Sequence, residues 1–483
     1  MQKTVNIRYS KYFLTKNVSR QFSNEPPKPI MKTAVPGPKS LETIKKLSDF
    51  QMVNGIKFIA NYENSIGNYI ADVDNNLMLD LFCQISSIPL GYNHPNLKSV
   101  AKSDEFIMSA INRPCLGMFP PKDYKDFLKS SLMSVAPKGL THVQTMMCGS
   151  CAIENAIKAV FIRQKGIERG GKEFTNEELE SCMKNEPPGC PKNSILSFKG
   201  GFHGRTLGAL SLTRSKAIHK IDIPLFNWPQ ADFPIYKYDL EENLEYNNNQ
   251  DKICLEMVEE TIRKCAEISP VCGVIVEPVL AEGGDIHGSN NFFYSLREIC
   301  RKKKIAFIVD EVQTGCGPTG TFWAHEKWNL CYPPDIVTFS KKMLLGGYFT
   351  TKDYIPIAPY QIFNTWLGEP SKVLLLEAVL KTIKTEDLIN ETKETGNHLL
   401  KGLKNVQKLS KNKLSNARGS GTFCAIDCTT SAARDKMLEE LRNRGFLLGG
   451  CGDVSIRFRP ALTLKIRHVD LFLECFEDLI KRN

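Results

Sequence analysis

The central part of the chain, from about residue 140 to residue 370, alternates short apolar runs with helix-like stretches. The runs are Ser194–Phe198, Val271–Val276, Ile305–Val309 and Ile336–Phe339. Because they are nearly continuous rather than alternating, they indicate strands buried on both faces, as in a parallel sheet between helices. The intervening stretches predict helices over Ile153–Gln164, Ile253–Ile268 and Phe292–Lys303. The pattern therefore predicts an α/β domain on a mostly parallel sheet flanked by helices.

The flanking segments follow a mixed pattern that predicts a smaller α+β domain. The elements expected there are strands over Asn68–Val73, Met78–Phe82, Thr422–Asp427 and Ser455–Phe458, helices over 372–410, and a last helix over Val469–Ile480. Of the 483 residues, we expect 113–370 to form the large domain and 371–483 the small domain. Residues 23–112 are expected to be an N-terminal segment that contributes to the small domain.

The first 24 residues contain five basic side chains and no acidic one. Apolar residues are scattered among serines and threonines, without the continuous apolar core of a secretory signal. We therefore expect residues 1–22 to be a mitochondrial transit peptide cut after Phe22, which implies the mitochondrial matrix. A frayed basic tail is the alternative. Removal of this segment would lower the formal net charge from +10 to +5.

The remaining charge and the cysteines exclude other classes of protein. The stretch Lys401–Arg418 holds six basic residues and no acidic one, but its apolar residues recur at helical spacing, which favours a solvated helix face over a nucleic-acid site. No apolar run approaches the ~20 residues that span a bilayer. We expect neither a nucleic-acid nor a membrane partner. The 16 cysteines are scattered, with Cys148 and Cys151 as the one close pair, which excludes a small disulfide scaffold.

Three of the buried runs lead directly into a charged residue. Glu277 follows Val271–Val276, Asp310 follows Ile305–Val309, and Lys341 follows Ile336–Ser340. Each alone reads equally well as a surface charge at a strand end. In a doubly wound sheet, ligands bind at the carboxyl ends of the strands, so the three together predict one cleft. A lysine beside carboxylates suits Schiff-base chemistry, because its neutral amine is a nucleophile.

Two motifs around these strand ends resemble the cofactor signature of the class III aminotransferases. Phe307–Gly315 reads FIVDEVQTG, and Pro334–Lys341 reads PDIVTFSK. The resemblance extends over nearly the whole chain after the leader and implies pyridoxal 5′-phosphate (PLP) on a fold-type-I scaffold. Further runs resemble the branch of the family that acts on 4-aminobutyrate: Cys148–Cys151, Gly201–Arg205, Ser215–Pro224, Ile362–Gly368 and Gly449–Pro460.

The resemblance implies a set of residues for the cofactor ring. Lys341, six residues after Asp335, matches the lysine that forms the Schiff base with PLP and then moves the proton. Lys342 is the competing assignment. Asp310 is expected to pair with the pyridine nitrogen, and Gln313 to contact the ring or its phenolic oxygen.

Four further residues are implied around the cofactor. Gly149 and Ser150 precede a predicted helix, where small residues and free N–H groups suit a phosphate. Thr365 matches a second phosphate contact that is reached from the neighbouring subunit, which implies a homodimer. Phe202 matches the aromatic residue stacked on the ring, although a lone phenylalanine is more often a core residue.

The resemblance also implies how the substrates are recognised. Arg205 is expected to bind the carboxylate of 4-aminobutyrate, since its planar fork takes a carboxylate through two hydrogen bonds. Arg457 is expected to bind the α-carboxylate of glutamate or 2-oxoglutarate, with Glu282 as its partner while 4-aminobutyrate is bound. This implies ping-pong transamination of 4-aminobutyrate with 2-oxoglutarate, with β-alanine and 3-amino-2-methylpropanoate as further donors. Glu277 is expected to support His203 or Arg205.

Cys148 and Cys151 form half of a four-ligand metal site. Mammalian relatives in the family hold a [2Fe–2S] cluster across the dimer axis with these two positions, so the resemblance implies the same cluster here. A redox disulfide is the alternative.

Two other functions remain open at this point. Another ω-aminotransferase, of the ornithine or lysine type, would keep Lys341 and Asp310 but differ around Arg205. A non-catalytic protein on an aminotransferase scaffold would have lost the lysine or the aspartate, and both are present.

Overall fold

The computed structural model describes residues 25–482. Its strands are β1 (Ala60–Ile66), β2 (Tyr69–Asp72), β3 (Leu77–Asp80), β4 (His142–Met146), β5 (Ser194–Phe198), β6 (Gln230–Ala231), β7 (Val271–Val276), β8 (Val279–Leu280), β9 (Ile286–His287), β10 (Ala306–Asp310), β11 (Ile336–Phe339), β12 (Gly346–Thr350), β13 (Leu414–Ser420), β14 (Phe423–Cys428), β15 (Phe446–Leu447), β16 (Gly449–Cys451) and β17 (Ser455–Phe458).

The helical segments are, in chain order, α1 (Pro38–Leu47), α2 (Cys83–Ser86), α3 (Pro95–Ala101), α4 (Asp104–Asn112), α5 (Tyr124–Ser130), α6 (Gly149–Arg169), α7 (Asn176–Cys182), α8 (Leu207–Leu212), α9 (Leu244–Cys265), α10 (Asn290–Lys303), α11 (Pro370–Thr385), α12 (Leu388–Leu409), α13 (Ser431–Asn443) and α14 (Ile466–Arg482). Of these, α2 is a single left-handed turn.

The central sheet has seven strands in the order β4-β12-β11-β10-β7-β5-β6. The pairs β11–β10, β10–β7, β7–β5 and β5–β6 are parallel, and β12 is antiparallel to both β11 and β4. The prediction of a mostly parallel α/β sheet is therefore confirmed. Strand β12 was missed because it opens with Gly346 and Gly347, which carry no β-forming side chain. A Cβ on Gly347 would lie 2.4 Å from the Phe339 ring, so the close strand packing requires glycine there.

Helices cover both faces of this sheet, as the continuous apolar runs predict. Along β10, Phe307 and Val309 join one hydrophobic cluster, whereas Ala306 and Ile308 join another on the opposite face. Successive side chains on a strand point to opposite faces, so burial of all of them requires a layer of helices on each side.

Two smaller sheets complete the fold. One has the order β1-β2-β3-β15, and the other β13-β14-β17-β16. In the first, Phe446 pairs with Leu79, so an N-terminal strand lies beside a C-terminal one. The predicted boundaries at residues 112/113 and 370/371 stay predictions.

Most of the other predicted elements lie close to those observed, but the helix predicted over Ile253–Ile268 is α9, which begins nine residues earlier at Leu244 and ends at Cys265. The helix predicted to begin at Ile153 begins at Gly149 because Cys148 is its N-cap, and the last helix begins at Ile466 rather than Val469. The basic stretch Lys401–Arg418 is divided between the end of α12 and strand β13. The proposed leader lies outside the described residues. Within residues 25–482, no helix combines the length and apolarity needed to cross a membrane.

Glu25 ties the start of the described chain to the last helix. Its carboxylate accepts hydrogen bonds from the Asn68 backbone N–H at 2.8 Å and from His468 Nε2 at 3.0 Å, and it pairs with Arg467. The His468 Nδ1 accepts from the Lys465 N–H, so the His468 proton is on Nε2 and points to Glu25. Burial raises the pKa of Glu25, but the bonds from His468 and Asn68 outweigh burial and hold this pKa below its usual value.

We therefore expect Glu25→Gln to lower the free energy of unfolding at pH 7 by about 2 kcal/mol, because a buried charge-assisted network loses its anion. The folded-state pKa of Glu25 is depressed, so its contribution is present above the unfolded value and is lost as pH falls below about 4.3. The difference between the two proteins in urea unfolding should shrink over that range. Glu63→Gln, at an exposed position, is the control; a constant difference at all pH values would contradict the assignment.

Candidate active site

The three charged residues predicted at strand ends lie at one edge of the central sheet. Val276 pairs with Val309, and Asp310 with Thr338, so Glu277, Asp310 and the segment after β11 leave adjacent parallel strands at the same end. Parallel strands bring their carboxyl ends together, which is the usual place for a ligand cleft in such a sheet.

Asp310 is held by three donors at this edge. Its Oδ1 accepts from the Thr338 hydroxyl and the Val312 N–H, each at 3.1 Å, and His203 Nδ1 lies 2.8 Å from its Oδ2. Asp310 and His203 are both 4% exposed. A carboxylate accepts only, so Nδ1 of His203 donates. This arrangement fixes the orientation of the carboxylate in a buried place.

Lys341 begins a short 3-10 turn and has a left-handed backbone, with φ of 51°. Its Nζ donates to the Ile85 carbonyl at 3.0 Å. Burial lowers the pKa of Lys341 to about 8, and the nearby cations Arg457 and Arg459 act in the same direction. At pH 7 roughly a tenth of this amine is then neutral, and hence nucleophilic, which is far more than for a lysine with its ordinary pKa.

Lys342, the competing lysine, points into the protein interior. It is 1% exposed, and its Nζ lies 3.3 Å from the Ser86 carbonyl and 3.5 Å from the Ile88 carbonyl. Burial lowers its pKa to about 8 as well. Because Lys342 is buried, a ligand cannot reach its amine. The geometry therefore favours Lys341 as the reactive lysine.

Gly149 and Ser150 are the first two residues of the long helix α6, where N–H groups have no intrahelical partner. A Cβ on Gly149 would lie 2.9 Å from Val312 and 3.5 Å from Ser340, so this helix start presses against the ends of β10 and β11. The N–H groups and the positive end of the helix dipole suit an anionic group there.

The loop Gly201–Arg205 lies beside that helix start. Gly204 has a φ of 126°, and a Cβ on it would lie 2.5 Å from Ser150 Oγ, so only glycine permits this approach. The Arg205 N–H donates to Ser150 Oγ at 3.2 Å, and its exposed guanidinium lies 5.9 Å from the Phe202 ring. The loop thus places an aromatic ring and a free cation at the rim of the cleft.

Glu277 supports the same loop in a way that the sequence did not specify. Its Oε1 accepts from the Phe202 N–H at 2.8 Å, rather than from His203 or Arg205. Burial raises the pKa of Glu277 well above its usual value, and the neighbouring Asp310 adds to this. Glu277 therefore fixes the loop through the Phe202 N–H, and its raised pKa reduces the cost of placing a second carboxyl group beside Asp310.

Arg457 and Glu282, predicted as partners, form an ion pair with Nη1 and Oε2 2.8 Å apart. Lys216 lies on the other carboxylate oxygen, with its Nζ at 3.4 Å. Burial raises the pKa of Glu282, but Arg457 and Lys216 outweigh burial and keep it below its usual value. Within residues 25–482, Nε of Arg457 is buried without a hydrogen-bond partner. The guanidinium therefore retains an unused donor.

A second arginine–carboxylate pair, which the sequence analysis missed, lies next to the first. Arg459 pairs through both terminal nitrogens with Asp285, and its Nε donates to Gln313 Oε1 at 2.6 Å. Both charged side chains are inaccessible to solvent. In the sequence, Asp285 lies three residues after Glu282 and Arg459 two after Arg457, but this spacing does not by itself show which side chains meet. Gln313 is thus held by Arg459 and keeps its amide nitrogen available to donate.

The segment before α3 encloses the lysines from the other side. Residues Cys83, Gln84, Ile85 and Ser86 all have positive φ, from 46° to 67°, and form the left-handed turn α2. Such a backbone costs non-glycine residues about 1–2 kcal/mol each. Strain of this kind persists only where surrounding contacts determine it, and it concentrates at functional sites.

The last predicted residues, Thr365 and the cysteine pair, lie at the surface. Thr365 is exposed in the segment before α11, and Cys148 is exposed at the start of α6. Sγ of Cys148 and Sγ of Cys151 are 3.5 Å apart. Burial and the adjacent Cys148 raise the pKa of Cys151 to about 11. Within residues 25–482, no three His, Cys, Asp or Glu side chains are arranged to hold a metal ion.

Comparison with protein families gives one match over most of the chain. The family described as "Aminotransferase class-III" matches residues 50–480. The mitochondrial 4-aminobutyrate aminotransferases of Mus musculus and Homo sapiens are 52% identical over 453 residues, covering 94% of this chain and 91% of each relative. A 4-aminobutyrate aminotransferase of Dictyostelium discoideum is 50% identical over 473 residues, covering 98% of this chain and 95% of its own.

Solved structures share the fold. A lysine aminotransferase from M. tuberculosis superposes with a TM-score of 0.80 at 26% identity, covering 91% of this chain and 98% of the other. A transaminase from the marine bacterium Virgibacillus superposes with a TM-score of 0.74 at 20% identity, covering 91% of this chain and 98% of the other.

The low pKa of Lys341 predicts its reactivity. We expect reductive methylation of the cofactor-free protein by formaldehyde to modify Lys341 at a rate that rises through about pH 8, because only the neutral amine attacks. A lysine in a reference peptide titrates near 10.4. Fragmentation of the peptide by mass spectrometry separates Lys341 from Lys342, and Lys341→Ala is the control. A midpoint near that of the reference peptide would contradict the desolvated site.

Proposed function

Because the chain belongs to the class III aminotransferases, we propose that it transfers the amino group of 4-aminobutyrate to 2-oxoglutarate, giving succinate semialdehyde and glutamate. The observation that carries the proposal is the Arg457–Glu282 pair, which lies beside Lys341 while Arg205 stays free at the rim. The 52% identity to enzymes named for this substrate supports it. β-Alanine and 3-amino-2-methylpropanoate, shorter or branched ω-amino acids, are further donors in the proposal.

The residues of the cleft fit PLP, the cofactor of this family. Gly149 and Ser150 offer N–H groups to its phosphate, and Asp310 offers a buried negative charge to its protonated pyridine nitrogen. We assign Phe202 to the face of the ring and the free amide nitrogen of Gln313 to its phenolic oxygen. When bound, PLP withdraws electrons from the carbon that carries the amino group. We also assign Thr365, from the neighbouring subunit of a homodimer, to the phosphate.

Lys341 is assigned the covalent and proton-transfer work. With a pKa of about 8, its amine exchanges a proton readily near neutral pH, as a general acid–base group requires. The surrounding carboxylates do not compete for this proton, because Asp310 is bound by His203 and Glu282 by Arg457.

The two arginines separate the two half-reactions. Arg205 binds the carboxylate of 4-aminobutyrate while Glu282 neutralises Arg457. In the second half-reaction, the α-carboxylate of 2-oxoglutarate takes the place of Glu282 on Arg457, with the unused Nε as an additional donor. Glu282 stays compensated because Lys216 remains next to it. One site thus accepts an ω-amino acid and an α-keto acid in turn.

Dimerisation and cellular location complete the proposal. Exposed apolar side chains support a subunit interface. They belong to residues that include Ile107, Met108, Ile111, Phe119, Ile357 and Tyr360.

The relatives named mitochondrial support a mitochondrial protein, and we propose the matrix, with a leader cut after Phe22. We also propose that residues 23–112 and 371–483 form the small domain and residues 113–370 the large PLP-binding domain.

A [2Fe–2S] cluster between two subunits is a further part of the proposal. Two thiolates on one tetrahedral metal ion with bonds of about 2.3 Å lie about 3.8 Å apart. The 3.5 Å between Cys148 and Cys151 is close to that separation. One chain supplies two thiols, so the cluster needs the same pair from a second copy.

A panel of amino donors with 2-oxoglutarate as acceptor tests the substrate. We expect 4-aminobutyrate to give the highest kcat/KM and ornithine and lysine to be lower by at least about 100-fold, because each carries an α-ammonium group beside its carboxylate, and Arg205 repels that charge. A preference for ornithine or lysine would contradict the proposal and support the second type of ω-aminotransferase.

In the same assay, the variant Arg457→Gln tests the role of the second arginine. We expect the KM for 2-oxoglutarate to rise by about 10–100-fold, the range for loss of a charge-assisted hydrogen bond. The half-reaction with 4-aminobutyrate should change little, since Arg457 binds Glu282 there. Arg205→Gln should weaken both substrates, because the γ-carboxylate of 2-oxoglutarate would bind Arg205 while its α-carboxylate binds Arg457. Equal effects of the two variants on both half-reactions would refute the division of roles.

Iron analysis tests the cluster. The protein purified without oxygen should contain about one cluster, with two iron and two acid-labile sulfide, per dimer. Cys148→Ser and Cys151→Ala should each lose the iron, whereas Cys182→Ala, at a half-buried cysteine elsewhere, should keep it. A Cys151→Ala dimer with undiminished iron would refute the cluster, and an iron-free protein with the pair oxidised would support a disulfide.

A further inference from the structure

Lys342 is a buried cation that the proposed reaction does not use. It is 1% exposed, and its Nζ donates to two backbone carbonyls, Ser86 at 3.3 Å and Ile88 at 3.5 Å. Burying an ammonium group is costly, so such a group persists where it contributes something specific. Its acceptors are the last residue of the left-handed turn α2 and the second residue after it.

The turn needs contacts from outside to keep its shape. Four successive residues have φ of 46°, 53°, 60° and 67°, and none of them is glycine. Ile85 is β-branched, which makes the left-handed region especially unfavourable for it. Local sequence therefore opposes the conformation, and tertiary contacts must maintain it.

The turn is held at both of its ends. At the entrance, Asp80 Oδ1 accepts from the Phe82 and Cys83 N–H groups, each at 2.8 Å, and Tyr92 donates its hydroxyl proton to Asp80 Oδ2 at 2.6 Å. At the exit, Lys342 is the group that binds the carbonyls. The two anchors act on opposite ends, so removal of one leaves the other in place.

The carbonyl at the centre of the turn faces the active site. Ile85 O accepts from Lys341 Nζ at 3.0 Å, and the ring of Phe82, just before the turn, lies 5.4 Å from the Arg457 guanidinium. One short segment thus contacts the reactive lysine and borders the second arginine.

We propose that Lys342 is a positioning residue: it holds residues 83–86 in the left-handed turn, so that the Ile85 carbonyl binds the amino group of Lys341 whenever that group is free. The proposal deepens the proposed function, on which it rests. With PLP bound and a substrate amine in place on it, the amine of Lys341 would be free and would have to stay in the cleft to move the proton. A fixed acceptor at 3.0 Å keeps the amine in the cleft.

The variant Lys342→Met tests this role, because it keeps the length of the side chain and removes the donor. We expect amide hydrogen exchange over residues 82–88 to accelerate by about tenfold or more, since the exit anchor is lost. The rate of the half-reaction with 4-aminobutyrate should fall by about tenfold, which corresponds to about 1.4 kcal/mol. KM values should change less than about twofold, because Lys342 touches neither substrate. Lys352→Met, at an exposed lysine, is the matched control and should change none of these.

A second substitution separates positioning from a simple effect of charge on Lys341. Ser86 has φ of 67°, and within residues 25–482 its buried hydroxyl has no hydrogen-bond partner. Ser86→Gly therefore relieves the backbone strain and removes no hydrogen bond made by this hydroxyl. In the Lys342→Met background it should restore slow exchange and most of the half-reaction rate. If Lys342 acted only through its charge, the second substitution would restore nothing.

Unchanged exchange over residues 82–88 in Lys342→Met, or a half-reaction rate within about twofold of the original, would overturn the proposal. So would a Lys342→Met protein that unfolds and that Ser86→Gly does not restore, because Lys342 would then have a general structural role. The exchange measurement needs no substrate. If the original protein fails to use 4-aminobutyrate while the turn still loosens and recovers as expected, the substrate assignment fails and the role of Lys342 in holding the turn stands.

Discussion

Desolvation of charge at the carboxyl edge of the central sheet is the constraint that organises this site. Burial raises the pKa of a carboxyl group and lowers that of an amine, unless a partner of opposite charge is close enough to outweigh it. Arg457 and Lys216 outweigh burial and keep the pKa of Glu282 below its usual value, whereas burial and the nearby Asp310 raise the pKa of Glu277 well above its own. Burial lowers the pKa of Lys341 to about 8, and its cationic neighbours act in the same direction. The same physical cause therefore acts on the ion pair that recognises anions and on an amine that loses its proton more readily than an ordinary lysine.

Because of this constraint, the two arginine–carboxylate pairs differ in how costly they are to open. Arg459 and Asp285 are inaccessible to solvent and joined through both terminal nitrogens, so separating them would strand two charges at a cost of about 3–5 kcal/mol. The Arg457–Glu282 pair has one hydrogen bond, and its glutamate side chain is 19% exposed. A substrate carboxylate can replace Glu282 there, because water and Lys216 compensate the displaced anion. The closed pair also holds Gln313, so the part of the site nearest the ring stays fixed while the neighbouring pair opens.

The sequence predicted the sheet because its strands are buried on both faces, and Val271–Val276 and Ile336–Phe339 were located to the residue. Strand β12 was not predicted, because its close packing against Phe339 requires glycine, and glycine does not indicate a strand. Among the site residues, the charges at the strand ends were predicted from the expected sheet topology. Arg205 and Thr365 were predicted only from the resemblance to the family. The role of Glu277 and the Arg459–Asp285 pair could not be predicted, because they depend on which segments meet across the cleft, and hydrophobic periodicity carries no information on that.

The left-handed turn is the clearest case of structure that opposes local sequence. Cys83 to Ser86 contain no glycine or asparagine, and one of them is β-branched, so propensity favours almost any other backbone. Asp80 and Lys342 bind the two ends of the turn and add to its own backbone hydrogen bonds, such as that from the Ser86 N–H to the Phe82 carbonyl. Lys342 lies 256 residues from the Ser86 carbonyl that it binds. A strained segment maintained by distant contacts has few alternative arrangements, so the atom that it presents is well positioned. The Ile85 carbonyl is presented to Lys341 in this way, and the strain in the backbone is offset by contacts that also fill the space beside the reactive lysine.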